Sequence, residues 1–259
     1  MNARFALAAA ALLAAFPVFA QEFPDGLTAK QIADKVLDND SLGFSNGQAT
    51  ITLTIQNKRG QERVRKLETK SMKVDGLQWT LATFLEPADV AGTKLLAKEV
   101  KDGSDLQYLY LPALKEKRRI AGSEKNESFM GTDFTYYDLE QRGIEDAEYT
   151  RLPDEKQSDI DCFRIESRGK DKDSPYSKLD MWVDKKDYLP LKIYFYDKSG
   201  EHVKTLVAQM VEPKGGIMTI TKLMMKNVQK GSKTTMSMEQ IDRTRTFPKS
   251  IFDENSFDK

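Results

Sequence analysis

The sequence is poor in the residues that most often build reactive or metal-binding sites. Its 259 residues include one cysteine, Cys162, and one histidine, His202. A single cysteine cannot form an internal disulfide, and one histidine without a cysteine or a second histidine nearby lacks the ligand set of a zinc site. Cys162 lies in a strand-like segment, DIDCFRIES, which predicts a small buried core residue.

The chain also lacks an excess of charge of either sign. Lysine and arginine together number 40, aspartate and glutamate also number 40, and the formal net charge is zero. Nucleic-acid binding calls for a surplus of basic charge. The overall charge therefore predicts no nucleic-acid ligand and gives no reason to expect attraction to an anionic membrane surface.

No catalytic constellation is recognisable. The segment GFSNG, residues 43–47, matches a hydrolase nucleophile pattern at Ser45, but that motif needs a strand before the serine and a helix after it. Here the helical pattern comes first and the strand follows. Asp171 and Asp173, in DKDS, lack the other ligands and the glycine of a calcium loop. We therefore predict a protein that is not an enzyme and uses no cofactor or metal.

A hydrophobic run long enough for a membrane helix is missing as well. Residues 1–20, MNARFALAAAALLAAFPVFA, combine a basic start at Arg4, a short apolar core and small residues before Ala20. These are the features of a cleaved secretory signal peptide, whose core is shorter than the roughly 20 apolar residues that span a bilayer. The alanine-rich core is typical of bacterial export. We predict a periplasmic protein, not an integral membrane protein, with residues 21–259 forming one domain.

One helix is well specified after the signal. Thr28 and Gln31 have the spacing of a capping box, and Ile32 and Val36 begin an apolar face opposite charged residues. The pattern predicts a helix that starts after Thr28 and ends between residues 39 and 43.

From residue 48 onward the hydrophobic period becomes that of a strand. QATITLTIQ alternates apolar residues with threonine, and similar segments follow at intervals of one strand and one turn. Turn signals such as Asp75-Gly76 and Lys230-Gly231 join them, and strands joined by tight turns pair antiparallel. The sequence predicts a mainly β fold: one curved antiparallel sheet of about eleven strands, either closed into a barrel or open.

Several strands carry apolar residues on both faces, LQYLYLP and YLPLKIYFYD among them. An apolar sheet face must be covered by a helix, by closure of the sheet or by a ligand, and only one helix is predicted. Six methionines lie within residues 210–238. They favour either an adaptable ligand surface or ordinary core filling.

The segment FMGTDFTYYDL, residues 129–139, interrupts the regular series of strands. Its glycine and polar residues indicate a loop, yet it contains many aromatic side chains, which have no reason to lie on a solvent-exposed surface. Two interpretations fit: a lid over the mouth of the sheet, with Asp133 capping a short helical turn, or a plug of the core with no ligand.

Several segments, taken in order, resemble a known family. They are FLEPADVAGTKLL (84–96), YLYLPALKEKRRI (108–120), MGTDFTYYDL (130–139) and FYDKSGE (195–201), after a capped helix and ATITLTI. They resemble the outer-membrane lipoprotein-sorting protein family, and in particular a LolA-like branch of it. The resemblance covers essentially all of the chain after the signal.

The resemblance implies an incomplete, half-open β-barrel with a helical lid, whose apolar concave face shelters acyl chains crossing the periplasm. It also implies an inner-membrane efflux-type lipid transporter as a partner. No position here can be matched to the functional arginine and aromatic residues of the lipoprotein carrier itself, so the implied cargo is lipid or lipoprotein.

The alternation of apolar residues suggests which side chains would face the cavity. The predicted cavity residues are Leu53, Ile55, Trp79, Leu81, Tyr108, Tyr110, Phe163, Ile165, Met181, Val183, Ile193, Phe195, Met218 and Met236. The predicted lid residues are Phe129, Met130, Phe134 and Tyr137. A one-residue error in register would turn a whole strand the other way.

Three functions are compatible with these observations. The first is a monomeric carrier that binds acyl chains and moves them between envelope membranes. The second is a periplasmic sensor that binds lipid or lipoprotein on the same fold and signals through a protein. A lipid hydrolase acting through Ser45 ranks last, because its motif stands in the wrong structural context.

Overall fold

The computed structural model describes residues 23–39, 46–101, 105–140 and 143–259. The predicted signal peptide, residues 1–20, and the serine of the GFSNG segment, Ser45, lie outside these described residues. In the described ranges, no helix has both the length and the apolar character needed to cross a membrane.

The predicted helix, α1, spans Ala29–Asp38 and is followed by Asn39 as its C-cap. The capping box is confirmed: the backbone amide of Gln31 donates to Thr28 Oγ1 at 3.2 Å, and the backbone amide of Thr28 donates to Gln31 Oε1 at 2.9 Å. Ile32, on the inner face of the helix, is fully buried. The helix therefore begins and ends where its sequence signals indicate.

The sheet contains thirteen strands in the described residues. They are β1 (Gly47–Gln56), β2 (Glu62–Val74), β3 (Leu77–Glu86), β4 (Lys94–Lys98), β5 (Leu106–Leu111), β6 (Glu116–Ile120), β7 (Ala147–Gln157), β8 (Ile160–Gly169), β9 (Tyr176–Asp184), β10 (Pro190–Asp197), β11 (His202–Lys214), β12 (Ile217–Asn227) and β13 (Ser232–Asp242). All pair antiparallel in one sheet that is curled but not closed, which confirms the predicted fold class.

The strand that the sequence pattern misses is β7, AEYTRLPDEKQ. It is an edge strand, and most of its residues are charged or polar, so it has no clear alternation. Pro153 lies where the pairing with β8 shifts register, between Leu152 and Glu155. Charge, proline and a bulge are the usual features of an edge strand that must not pair further.

The strands form two meanders, β1–β6 and β7–β13, that meet where β1 pairs with β13. Gly47 opens β1 at this junction with a φ of +129°. A Cβ on Gly47 would lie 2.2 Å from the Asp242 carbonyl oxygen, so only glycine permits this approach of the two backbones.

The two edges of the sheet, β6 and β7, are consecutive in the chain. We call the connection between them, residues 121–140 and 143–146, the bridging segment. It contains four short 3-10 turns and packs onto the concave face, where Phe129 lies beside Phe84 with ring centroids 5.6 Å apart.

The convex face is covered over part of its area by the C-terminal residues 247–259. Phe252 and Phe257 are buried against Leu81 and Leu96. The Lys94 ammonium group donates to the Phe257 carbonyl oxygen at 2.8 Å. Strands β3–β5 are thus buried on both faces, which explains their apolar character on both sides.

Candidate functional site

The concave face encloses a cavity of about 530 Å³. Its walls are the inner face of the sheet, the C-terminal half of α1 and the bridging segment. The volume falls in the range of small-molecule pockets, and most of the lining is apolar. Prominent lining residues are Val36, Leu53, Leu67, Leu95, Phe129, Phe134, Tyr137, Met181, Ile193, Phe195, Leu206, Leu223, Met225, Met236 and Met238.

One wall of the cavity is polar. Ser71 Oγ and Thr80 Oγ1 lie 3.0 Å apart on β2 and β3, and the backbone amide of Gln78 donates to Glu99 Oε2 at 2.7 Å. Asp105, next to the start of β5, also lines this wall. The cavity is therefore amphipathic, as a site for a molecule with a long apolar part and a polar end would be.

Five of the predicted cavity residues line this space: Leu53, Met181, Ile193, Phe195 and Met236. They come from β1, β9, β10 and β13, which the curl of the sheet brings around one volume. Met236 contacts both of the large apolar clusters on the concave side.

Four predicted cavity residues face the other way, and their assignment is corrected. Trp79, Leu81, Tyr108 and Tyr110 pack on the convex face beneath the C-terminal residues. The alternate residues of β3, Gln78, Thr80 and Ala82, line the cavity instead. On β3 the outward residues are more apolar than the inward ones, so apolar character alone indicates the wrong face.

Three further predicted residues, Phe163, Ile165 and Val183, lie where α1 covers the sheet. They pack against Ala29, Ile32 and Ala33 and are fully or nearly fully buried. They form the contact that holds the helix in place, outside the cavity lining. Ile55 and Met218 are half-buried and are also outside it.

The aromatic residues of FMGTDFTYYDL, in the bridging segment, pack on the concave side of the sheet. Phe129, Phe134 and Tyr137 are buried in the concave clusters and also line the cavity. Met130, with a φ of +49°, packs beside Phe129 without lining the cavity. The segment thus fills part of the core and covers the cavity at the same time, so both sequence interpretations describe part of its position.

Asp133 anchors the bridging segment and does not cap a helical turn. Its carboxylate accepts hydrogen bonds from Ser232 and, at 2.7 Å, from Thr234 Oγ1. Its backbone amide donates to the same Thr234 oxygen at 2.9 Å. The turn at Tyr137–Leu139 is capped by a reciprocal pair: the Thr135 amide donates to Asp138 Oδ2 at 2.8 Å, and the Asp138 amide to Thr135 Oγ1 at 3.2 Å.

One buried ion pair joins the segment to β11, and a second links two parts of the segment to each other. The Lys204 ammonium lies 2.7 Å from Asp138 Oδ2, and both side chains are less than a tenth exposed. The Tyr176 hydroxyl donates to the other Asp138 oxygen at 2.7 Å. Lys125 pairs with Glu140 and donates to the Asp105 carbonyl oxygen at 2.9 Å. Breaking such pairs leaves a buried charge unpaired, so the segment is firmly attached.

Cys162 is fully buried, as predicted from its strand context. Burial raises the pKa of its thiol, which keeps it protonated and unreactive. The cysteine is a core residue and has no part in the cavity.

The fold and the cavity together define a class of protein, an open antiparallel half-barrel with a covered apolar site. A sequence model of a family described as "Uncharacterized protein" matches residues 76–259. An outer membrane lipoprotein-sorting protein domain from Vibrio parahaemolyticus is 32% identical over 89% of this chain and 98% of that one, with a TM-score of 0.83. This chain belongs to the LolA-like family of outer-membrane lipoprotein-sorting proteins.

Two other solved structures share this fold. A DUF1329 family protein from Desulfovibrio piger is 28% identical, covers 88% of this chain and 97% of its own, and has a TM-score of 0.82. A LolA superfamily protein from Nitrosomonas europaea shares the fold at 20% identity, with 88% and 99% coverage and a TM-score of 0.71. No curated protein matches the chain.

Proposed function

We propose that this protein is a periplasmic carrier that binds the acyl chains of lipids or lipoproteins in the cavity and moves them between envelope membranes. The observation that carries the proposal is the cavity of about 530 Å³, apolar over most of its lining and covered by the bridging segment. The family assignment supports a lipid-binding carrier.

The energetics favour an acyl chain. Each methylene moved from water to an apolar site contributes about 0.8 kcal/mol, so a sixteen-carbon chain supplies on the order of 10 kcal/mol before ordering costs. The methionines of the lining, Met181, Met225, Met236 and Met238, can adapt to a chain of variable shape. The polar wall at Ser71, Thr80 and Glu99 would receive the polar end of the molecule.

The rest of the proposal follows from the sequence. Residues 1–20 would direct export and be removed, and residues 21–259 would act as a monomeric domain in the periplasm. Binding and release need no catalytic group, so the carrier would not be an enzyme. An inner-membrane efflux-type lipid transporter would supply or receive the cargo, because a partner that binds the open state better shifts the population toward release.

The direct test is mass spectrometry of whatever co-purifies with the mature protein from the periplasm. We expect acylated molecules at near one equivalent. Lipid-free protein that also fails to take up a fluorescent fatty-acyl probe would contradict the proposal.

A cavity-filling variant links binding to this site. Met236→Trp places a larger side chain in the cavity and should weaken acyl-probe binding at least tenfold. Met210→Trp is the matched control, because Met210 is on β11 and about half exposed. Equal loss in both variants, or in neither, would show that the probe binds elsewhere.

A further inference from the structure

One end of the sheet carries most of the exposed large apolar side chains. Val64 lies at the start of β2, Leu85 near the end of β3, Leu114 in the β5–β6 turn and Val228 in the β12–β13 turn. Antiparallel pairing places all four at the same end of neighbouring strands. They are 42% to 67% exposed, with Leu114 the most exposed.

The turns at this end are in contact with one another. The ideal Cβ position of Gly231, in the β12–β13 turn, is 3.5 Å from Cβ of Lys58 in the β1–β2 turn. That of Gly92, after β3, is 3.4 Å from Cγ of Pro112 in the β5–β6 turn. The four apolar residues therefore belong to a continuous rim of turns and adjoining strand ends, which we call the turn rim: residues 56–66, 85–93, 111–117 and 226–233.

The turn rim is strongly basic although the whole chain is neutral. It holds ten lysines and arginines and four acidic residues, a net charge of +6, or +5 when the ion pair of Lys117 with Asp258 is discounted. Lys58, Arg59, Lys115 and Lys230 are exposed at the turn tips, and no described acidic side chain forms a salt bridge with any of them. Counted over the turns alone, residues 57–61, 87–93, 112–115 and 228–231 hold four basic residues and one acidic residue, whereas the turns at the opposite end, 75–76, 158–159, 185–187 and 215–216, hold two basic and three acidic residues.

Exposed apolar side chains beside basic groups that lack salt bridges are the combination that binds an anionic lipid surface: lysines and arginines are attracted to the phosphates, while leucine and valine enter the interface. A conventional protein partner would bury a flatter apolar core with few charges at its centre. We propose that the turn rim docks this protein on an anionic lipid bilayer. The docking surface is separate from the cavity, so it stands whether or not the cavity binds acyl chains.

The experiment is sedimentation of the full mature protein with two kinds of vesicle. One is phosphatidylcholine alone, and the other also contains about 30% phosphatidylglycerol, which makes its surface anionic. We expect binding to the anionic vesicles only, weakening as salt is raised. Each basic residue near such a surface contributes about 1 kcal/mol, so replacing Lys58, Arg59 and Lys115 by glutamine should lower vesicle binding about 100-fold.

The matched control is a variant in which Lys73, Lys156 and Lys186, at the opposite end, are replaced by glutamine. This variant should bind vesicles as the wild type does. Leu114→Ser should lower binding about tenfold, whereas Ile160→Ser, at an exposed apolar position of the opposite end, should not. Acyl-probe binding measured on every variant separates this surface from the cavity.

Three results would overturn the proposal. They are equal binding to neutral and anionic vesicles, equal loss in the turn-rim and control triples, and no sedimentation with either vesicle. Retention on an acidic protein resin without vesicle binding would reassign the turn rim to an acidic protein partner and would also overturn it.

Discussion

Gly47 begins β1 at the junction of the two meanders, where a side chain would collide with the backbone of Asp242 and Arg243. Gly47→Ala should reduce the free energy of unfolding by about 3 kcal/mol, because positive φ and the displaced strand both cost energy. Urea unfolding followed by circular dichroism measures it. Gly169→Ala, whose Cβ meets nothing within 4 Å, should leave stability unchanged.

Phe134 is buried in the concave core and also lines the cavity. Phe134→Ala should lower stability by about 3 kcal/mol through the lost burial and should also weaken retention of an acyl probe. Phe252→Ala, on the convex face, should cost similar stability without changing probe affinity. If both variants lose stability and neither loses affinity for the probe, the bridging segment only fills the core.

At the residue scale, inward positions could be predicted on β1, β9, β10 and β13, at Leu53, Met181, Ile193, Phe195 and Met236, and those of β3–β5 could not. Leu53 alternates with threonines, so its inward orientation is evident. Trp79 and Tyr108 are as apolar as a cavity residue because Phe252 and Phe257 cover them from outside. Such cover depends on distant parts of the chain, which a local pattern does not contain.

The bridging segment depends on β13 for its position. Thr234→Val removes the hydroxyl that both accepts from and donates to Asp133, and leaves a buried carboxylate with one partner fewer. We expect a loss of about 2 kcal/mol and faster amide exchange in residues 129–139. Thr235→Val, on the opposite face of β13, is the control and should change neither.

Helix α1 is joined to β7 through the residues just before it. Hydrogen bonds from the Arg151 guanidinium lower the pKa of Asp25 from 3.8 to about 2. Because the folded-state pKa lies below the unfolded value, the contribution is complete above about pH 4 and is lost as pH falls through 2. The stability difference between wild type and Asp25→Asn should therefore be present at pH 6 and shrink steadily as the pH falls from about 4 through 2. A difference that stays constant with pH would contradict this account.

At the element scale, the helix follows from its capping signals, and most of the strands follow from alternation. The exception, β7, shows what periodicity cannot detect: an edge strand is selected for charge and interruption. The course of the bridging segment was also beyond prediction, since Asp133 finds its partners about a hundred residues away on β13.

For the molecule as a whole, ligand binding and stability are linked. An acyl ligand at 100 times its Kd should raise the free energy of unfolding by about 2.7 kcal/mol. For a chain of this size that corresponds to a rise in Tm of roughly 5–10 °C. Differential scanning calorimetry measures it, and Met236→Trp should show a much smaller rise. An equal rise in that variant would place the ligand outside the cavity.

The order of strands in the sheet also determines how the chain must fold. Each meander pairs neighbours in sequence, but β1 pairs with β13, about 180 residues later. Contacts of such separation form slowly, because a long loop must close first. When the chain emerges with its N-terminus first, strands β1–β6 can assemble while their concave face is not yet covered by the bridging segment and β13 has not yet paired with β1. The first half therefore presents an uncovered apolar surface until the last strand is made. We expect the partly folded chain to be more prone to aggregation than the folded protein.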